Sequence, residues 1–457
     1  MDRLSILDDP ARAWARFEPN DQELWDLARV AHLHRRAGFA ASWPILQRDL
    51  RDGPGASVDR LLSGEETSTD GKPASEIEEM ADAMARQLAP AAALTRLQAI
   101  WLYRMIFTAF PLRERMTLFW HNHFATSQAK VQNAGLMQRQ NGLFRTHALG
   151  DFRQLLAEVG KDPAMLIWLD STANRKARPN ENYAREVMEL FTLGRGRYSE
   201  KDVQEAARAF TGWFVVRDRF KADPAQHDSG TKTILGRAGS FDGDDVPEIL
   251  LAQPACAEFI AEKLYRHFVN EVDPAPKILI APLAAKFRES GYQVRVPMEI
   301  ILRSNVFFDS SVRRKRVKSP VEYAVGAVRA LEVVKPTVRA DALAEAVSRM
   351  GQGLYAPPSV AGWDGGPAWA NSTTMLARTN LALALLACDD PSFGKRLDAA
   401  SLASRHGFTG GHDSARFFTD LLVQDAFDPP VRERIAAAKD AREAATLVLS
   451  SPEYQLA

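Results

Sequence analysis

The chain has 457 residues, and its 58 Lys and Arg residues balance its 58 Asp and Glu residues, so the formal net charge is zero. Hydrophobic residues make up 46% of the chain, which excludes disorder for most of it because a large core can form. The balanced charge argues against a nucleic-acid binder with a wide basic face, and the lack of an 18-residue apolar run excludes a membrane span.

Most of the chain has the apolar spacing that is typical of helices. The first helical segment ends at Gly38, which is a common terminating residue. Two short helices are predicted at 44–50 and 58–62, around a Gly/Pro break at 53–55, and residues 63–78 are predicted to be a polar loop. Further helices are predicted at residues 94–110, 112–123, 134–147, 151–160, 163–169 and 179–193.

One region departs from the helical pattern. Residues 213–217 and 219–221 are β-prone, and a third β-prone run at 231–235 follows an Asp/Ser/Gly turn. A small β-hairpin insertion is therefore expected near 213–236. The remaining helices are predicted at residues 246–251, 255–268, 276–290, 297–305, 320–331 and 340–350, and then on to the C-terminus.

These elements predict an all-α fold, a compact multi-helix assembly with the small hairpin inserted. No period of 20–50 residues repeats, and no change in composition divides the chain. We therefore expect residues 1–457 to form a single helical domain, with residues 1–20 as an N-terminal extension.

The two cysteines, Cys256 and Cys388, are too few for a disulfide framework or a cysteine-based zinc site, and both are expected to be buried thiols. The N-terminus lacks the basic region, apolar stretch and cleavage site of a secretory signal. A cytoplasmic location is therefore expected, and export together with a partner stays open.

The predicted helix at 179–193 carries a polar stripe. Asn182, Glu186 and Glu189 share one face, and Arg185 lies near that face. Paired carboxylates on a helix can hold a divalent metal or divide acid and base roles between them. The alternative is a solvent-exposed face with a Glu/Arg pair of little energetic weight.

Two histidines, His121 and His123, stand at the predicted end of another helix. Residues two positions apart on a helix point in directions 200° apart. Both histidines can therefore line one site only if the helix ends between or beside them. Neutral imidazoles are good metal ligands and good acid/base groups. The alternative is that they are satisfied core residues in an aromatic segment.

A polar turn in the β-prone region contains His227, Asp228 and Lys232. Histidine, carboxylate and lysine this close together suit anion binding or general acid/base catalysis, and the alternative is an ordinary turn. The densest positive charge lies at 313–318, where it could neutralise a phosphate, sulfate or carboxylate, or be the solvated start of a helix.

A long loop at 351–370 is rich in Gly, Pro and Trp, and loops of this length often carry function or act as lids. Its two indoles, Trp363 and Trp369, suit either a ligand-binding wall or a plug in the core. We expect this loop to border the site, with Trp363 as a binding residue.

Several strings of the sequence resemble one known bacterial family. They are 32–39 (HLHRRAGF), 119–124 (FWHNHF), 181–190 (ENYAREVMEL), 209–213 (AFTGW), 227–232 (HDSGTK), 318–322 (KSPVE), 357–363 (PPSVAGW) and 451–455 (SPEYQ). In this order they resemble the family called domain of unknown function 1800. Members of that family are often encoded beside sulfatase-like proteins of the domain-of-unknown-function 1501 family, so the resemblance implies such a partner.

Two functional hypotheses follow. In the first, the protein is a metal-dependent enzyme, a hydrolase or an oxidoreductase, whose divalent metal lies among His121, His123, Glu186, Glu189, His227 and Asp228. In the second, it is a non-enzymatic accessory or binding protein for a sulfatase-like partner, and the polar clusters are buried specificity networks.

Overall fold

The computed structural model describes residues 5–69, 71–88, 93–333, 338–386, 393–394, 396–424 and 427–457. These residues fold mainly into helices, which confirms the predicted all-α class. Cys256 is buried, and burial raises the pKa of its thiol to about 12. Cys388 lies outside the described residues.

The helices are numbered in chain order. The first eight are α1 (Pro10–Trp14), α2 (Leu27–Ala37), α3 (Trp43–Ser63), α4 (Ala74–Arg86), α5 (Leu94–Phe107), α6 (Pro111–His123), α7 (Gln128–Val131) and α8 (Ala134–Thr146). The next eight are α9 (Phe152–Gly160), α10 (Pro163–Trp168), α11 (Asn182–Glu186), α12 (Glu200–Ala209), α13 (Asp245–Leu251), α14 (Pro254–Phe268), α15 (Lys277–Glu289) and α16 (Arg295–Arg303). The last eight are α17 (Asn305–Phe308), α18 (Pro320–Ala330), α19 (Ala340–Arg349), α20 (Ser372–Leu386), α21 (Ala399–Arg405), α22 (Gly411–Leu422), α23 (Pro429–Ala436) and α24 (Ala441–Ser450).

Two antiparallel hairpins form the β-region. Strand β1 (Trp213–Val216) pairs with β2 (Arg219–Ala222), and β3 (Lys232–Ile234) pairs with β4 (Arg237–Gly239). The predicted insertion is confirmed, and it continues to Gly239. The sequence of β4, Arg-Ala-Gly, lacks the β-branched residues that would have indicated a strand.

Three boundaries differ from the sequence prediction. Helix α3 spans the predicted break, with a kink where Gly53 adopts a φ of 84°. The polar loop is shorter than 63–78, since α4 begins at Ala74 and buries Ile77 and Ala81. Helix α11 continues into a π-helical segment at Val187–Thr192. Of the described helices, none has the length and apolar content that a membrane crossing requires.

Helix α6 lies between two hydrophobic cores. Leu112, Met116 and Trp120 belong to the first core, which contains most of the buried side chains of α9 to α16. Leu118 belongs to the second core, which is built mainly from α5 and α18 to α24. Because both cores contact it, α6 holds its polar residues at the boundary between them.

Glu114 fixes the orientation of α6. Its buried carboxylate accepts hydrogen bonds from Arg145 Nε at 2.5 Å and from Trp101 Nε1 at 2.9 Å, so it ties α6 to α8 and α5. Burial alone would raise the pKa of Glu114, but the charge and hydrogen bonds of Arg145 lower it overall.

We expect Glu114→Gln to destabilise the protein by about 3–5 kcal/mol at neutral pH, because it leaves the buried Arg145 without its counter-ion. A carboxyl with a lowered pKa stabilises the fold above its ordinary pKa, and this contribution is lost as the pH falls. Urea unfolding of both proteins from pH 7 to pH 3 should therefore show a difference that shrinks with acidity. A constant difference across that range would contradict this role for Glu114.

Candidate functional site

A cavity of about 390 Å³ lies between α6 and α14, and we name it the Arg115 cavity. A volume of this size suits a small organic ligand. Basic side chains in its lining outnumber acidic ones by four to three: Arg115, Lys263, Arg266 and Arg316 against Glu271, Glu322 and Asp364.

One wall of the cavity comes from α6. Arg115, Leu118, Phe119 and Asn122 line it, and their spacing of i, i+3, i+4 and i+7 places them on one helix face. Glu114 precedes Arg115 by one residue, which turns it 100° away. The contacts of Glu114 in the neighbouring helices therefore orient Arg115 toward the cavity.

The opposite wall comes from α14. Lys263, Arg266 and His267 share a face at i, i+3 and i+4, and Glu271 follows the end of the helix. The imidazole of His267 packs edge-to-face on Phe119, with 5.3 Å between ring centroids, so this contact joins the two walls.

The start of α18 supplies a third side. Ser319 and Glu322 form a capping box, in which the Ser319 N–H donates to Glu322 Oε2 at 2.5 Å. Glu322 Oε1 forms ion pairs with both Arg115 and Arg316, and Arg316 Nε also donates to Glu271 Oε2 at 3.0 Å. One carboxylate thus serves two buried guanidinium groups.

The long loop at 351–370 borders the cavity. Trp363 and Trp369 both line it and are almost fully buried. Asn122 Oδ1 accepts the Trp363 N–H at 2.8 Å, which fixes the loop to α6. Gly362, at a φ of 85°, lies so close that an added Cβ would stand 2.2 Å from Asn122 Oδ1.

Three groups on the cavity wall have buried polar atoms with no hydrogen-bond partner among the described residues. They are Nε and Nη1 of the Arg115 guanidinium, Nε2 of His267 and Oε1 of Glu271. Arg115 Nη2 forms the ion pair with Glu322. Buried polar groups in folded proteins are nearly always hydrogen-bonded, so three exceptions in one cavity mark a place for a ligand or water.

The cavity strongly disfavours additional positive charge. Burial, and then the charges of Arg316 and Arg36, lower the pKa of Arg115 well below its ordinary value. Burial and the charges of Arg115, Arg316 and Arg36 likewise lower the pKa of His267, which is therefore a neutral imidazole at pH 7.

The π-helical segment anchors one end of the cavity. The last carbonyls of a helix lack partners within it, and here two of them are used by cavity residues. Leu190 O accepts from Lys263 Nζ at 3.2 Å, and Phe191 O accepts from His123 Nε2 at 3.1 Å. Lys263 Nζ also donates to His123 Nδ1 at 3.0 Å. Burial lowers the pKa of Lys263 to about 8.

The two predicted histidines are both buried but separate. His123 lines the Arg115 cavity, whereas His121 Nε2 accepts the backbone N–H of Tyr355 at 3.1 Å. Burial lowers the pKa of His121 to about 3. His121 also packs on Trp363, with 5.6 Å between ring centroids, so it supports the cavity from behind.

The predicted carboxylate stripe lies outside the cavity lining. Glu189 accepts hydrogen bonds from Arg195 Nε and Tyr198 OH, both at 2.6 Å. Arg185 pairs with Glu200 and Glu181. Burial and the charge of Glu189 raise the pKa of Glu186. Asn182 is the first residue of α11, and its backbone N–H donates to Asn180 Oδ1 at 3.0 Å.

The polar turn of the β-region is bound to α12. Asp228 accepts from Arg208 Nε at 2.7 Å, and His227 Nδ1 lies 3.1 Å from Thr211 O. Lys232 Nζ donates to the carbonyls of Asp228 and Gly230. Across the described ranges no hydrogen bond or ion pair joins this turn to Glu186 or Glu189.

Within the same ranges, no group of three or more His, Cys, Asp and Glu side chains is placed to hold a metal ion. Of the site residues predicted from the sequence, His123 and Trp363 line the Arg115 cavity.

Sequence reasoning missed four cavity residues, Arg115, Lys263, His267 and Glu271. The available signal was polar residues at helical spacing on otherwise apolar faces: Lys263 and His267 four apart, and Arg115 seven before Asn122. The basic run at 313–318 did reach the site, because Arg316 is buried in the cavity wall.

These features define a mainly helical protein with a cavity lined by four basic and three acidic side chains. The model of the family described as Protein of unknown function (DUF1800) matches residues 32–456, and the chain belongs to this family. The family resemblance of the sequence strings is thereby confirmed. Comparison with curated proteins gave no match, and comparison with solved structures gave none either.

We expect Gly362→Ala to displace the loop, because alanine resists the positive φ and its Cβ would overlap Asn122. The summed cost is about 2–5 kcal/mol, from the left-handed backbone and the overpacking. Thermal unfolding should show the loss, and Gly407→Ala, also at positive φ but in open space, is the matched control. Equal losses in the two variants would show that the Asn122 contact is unimportant.

Proposed function

We propose that the protein binds a small organic anion in the Arg115 cavity and that this cavity is its functional site. The observation that carries the proposal is a fully buried guanidinium whose counter-ion, Glu322, is shared with Arg316, and whose Nε and Nη1 have no partner within the described residues. An anion supplies further negative charge and the acceptors that these two nitrogens lack.

Energetics support this assignment. Placing a cation in a protein interior costs several kcal/mol unless a counter-charge and hydrogen bonds compensate it. Glu322 compensates only partly, because it also pairs with Arg316 and caps α18. A buried charge that is only partly compensated lowers the stability of the fold, and such destabilising groups are typical of binding and catalytic sites.

The geometry of the neighbouring groups also favours an anion. A planar guanidinium matches the paired oxygens of carboxylate, phosphate and sulfate groups. His267, as a neutral imidazole with an unpartnered Nε2, adds a hydrogen-bonding group that is also suited to proton transfer. A catalytic reaction in this cavity would use that atom.

We expect Arg115→Met to abolish anion binding without loss of stability. Methionine fills the space with an apolar chain, and Glu322 keeps Arg316 as its partner. In thermal unfolding at constant ionic strength, a bound anion at 100 times its Kd stabilises the native protein by about 2.7 kcal/mol. That gain should disappear in Arg115→Met, while the general effect of salts remains.

The matched control is Arg329→Met. Arg329 is equally buried, but its Nη1 donates to the carbonyls of Met105 and Ile106 at 3.1 and 2.8 Å, outside the cavity. This variant should lose stability and keep its response to anions. Retention of the anion response in Arg115→Met would refute the proposed site.

The metal-dependent hydrolase or oxidoreductase predicted from the sequence stands as a second proposal at other residues. What supports it is the charge of Glu189, which together with burial raises the pKa of half-buried Glu186 one turn away, whereas Tyr198 and Arg195 lower the pKa of Glu189. Unequal carboxylate environments are a feature of acid/base pairs.

Glu186→Gln tests that second proposal, because the amide keeps the shape and removes the charge that a metal needs. Elemental analysis of untagged protein should show stoichiometric metal in the native chain and loss of it in the variant, with little change in melting temperature. Equal metal content with a large fall in melting temperature would favour a structural carboxylate. Absence of metal together with a tight complex on co-expression would favour the accessory role beside a sulfatase-like partner.

A further inference from the structure

We propose that the ligand of the Arg115 cavity is an organic anion that also carries a hydroxyl group, and that this hydroxyl donates a hydrogen bond to Glu271. This inference rests on the proposed anion-binding function and names the class of ligand. Hydroxy acids, sugar acids and sugar phosphates share the required chemistry.

One carboxylate oxygen of Glu271 accepts a hydrogen bond, and the other has no hydrogen-bond partner among the described residues. Its Oε2 accepts from Arg316 Nε at 3.0 Å, and its Oε1 is buried on the cavity wall without a partner among the described residues. An ionised carboxylate can only accept hydrogen bonds. The free oxygen therefore requires a donor from whatever occupies the cavity, and an anion without an O–H or N–H group, such as sulfate, has none to give.

Arg115 and Glu271 are close enough to share one ligand. Burial and neighbouring arginines lower the pKa of Arg115, and the charge of Glu271 is the contribution that opposes them. Glu271 lies three residues beyond the α14 helix that presents His267, and Arg115 in turn lowers the pKa of that histidine. A molecule that fills about 390 Å³ can therefore reach all three groups.

The surroundings select a neutral donor. Four cationic side chains and three carboxylates line the same cavity, and two of the carboxylates, Glu271 and Glu322, already pair with arginines, so an added ammonium group meets net positive charge. A hydroxyl donates without adding charge. The indoles of Trp363 and Trp369 also line the cavity, and they offer apolar faces to the carbon skeleton of such a ligand.

Two glycines of the loop lie beside the carboxylate of Glu271. A Cβ on Gly366 would stand 3.9 Å from Glu271 Oε1, and one on Gly365 would stand 3.8 Å from Oε2. Both residues have positive φ, at 54° and 76°, so side chains are disfavoured there. The loop thus lies against Glu271 without supplying a hydrogen bond to Oε1.

Isothermal titration of the full chain tests the inference with four probes. Gluconate and hexanoate have the same charge and number of carbons and differ in hydroxyl groups, glucose 6-phosphate exchanges the carboxylate for phosphate, and glucose lacks the anion. We expect gluconate or glucose 6-phosphate to bind about tenfold more tightly than hexanoate, the usual effect of a hydrogen bond to a charged group. Glucose should bind more weakly than either, and the stronger of the two anions identifies the acid or the phosphate class.

Glu271→Gln is the matched variant. Arg316 Nε needs an acceptor, so the amide oxygen takes the Oε2 position and the amide nitrogen faces the cavity, where it cannot accept the hydroxyl. The preference over hexanoate should then fall by about tenfold, while hexanoate itself binds at least as well as before. Equal binding of gluconate, glucose 6-phosphate and hexanoate, or an unchanged preference in Glu271→Gln, would overturn the hydroxyl inference and leave the anion site intact. Failure of all three anions to bind the native chain would overturn the anion site as well.

Discussion

The burial of the Arg115 guanidinium is the constraint on which the site depends. Its position follows from one helix placed between two hydrophobic cores: Glu114 faces α5 and α8 and is fully bonded there, so the next residue turns to the other side. An arginine held at that point by packing is desolvated whether or not an acceptor is present. Glu322 is its one counter-ion among the described residues, and it is shared with Arg316.

Helix ends and the long loop position the other residues of the cavity around the Arg115 guanidinium. The capping box of α18 holds Glu322 near the arginines and gives it both a structural and an electrostatic role. The carbonyls at the end of the π-helical segment hold Lys263 and His123 at the edge of the cavity. Asn122 lies on the same helix face as Arg115, and its hydrogen bond to the Trp363 N–H fixes the loop whose two indoles line the cavity. Local rules for helix ends therefore place most of the polar groups.

The sequence was sufficient for the fold class and for most helices, because the period of apolar residues and the Pro, Gly and Ser signals at helix ends are local. The helix end at Gly38 is an example of such a signal. The strand β4 was missed because its three residues carry no β-propensity, and it is formed only by pairing with β3.

The site was harder to predict for a physical reason. Polar pairs such as Glu186 and Glu189 attract notice because they are adjacent, yet adjacency says nothing about which partners surround them, and Glu189 is bound to Arg195 and Tyr198. Arg115, His267 and Glu271 are far apart in sequence, and their common feature is the absence of hydrogen-bond partners within the described chain. That property belongs to the packed structure alone. The long Trp-rich loop borders this cavity, whereas the sequence predicted it to border a site among other residues, of which His121 and Glu186 do not line the cavity.

The most direct measurement is a crystal structure of the protein soaked in selenate, whose selenium is located by its anomalous signal. The account predicts a selenate bound in the cavity with oxygens about 2.7–2.9 Å from the Arg115 nitrogens, the distance of a charge-assisted hydrogen bond. A cavity that contains only water, with selenate bound at surface sites, would contradict it.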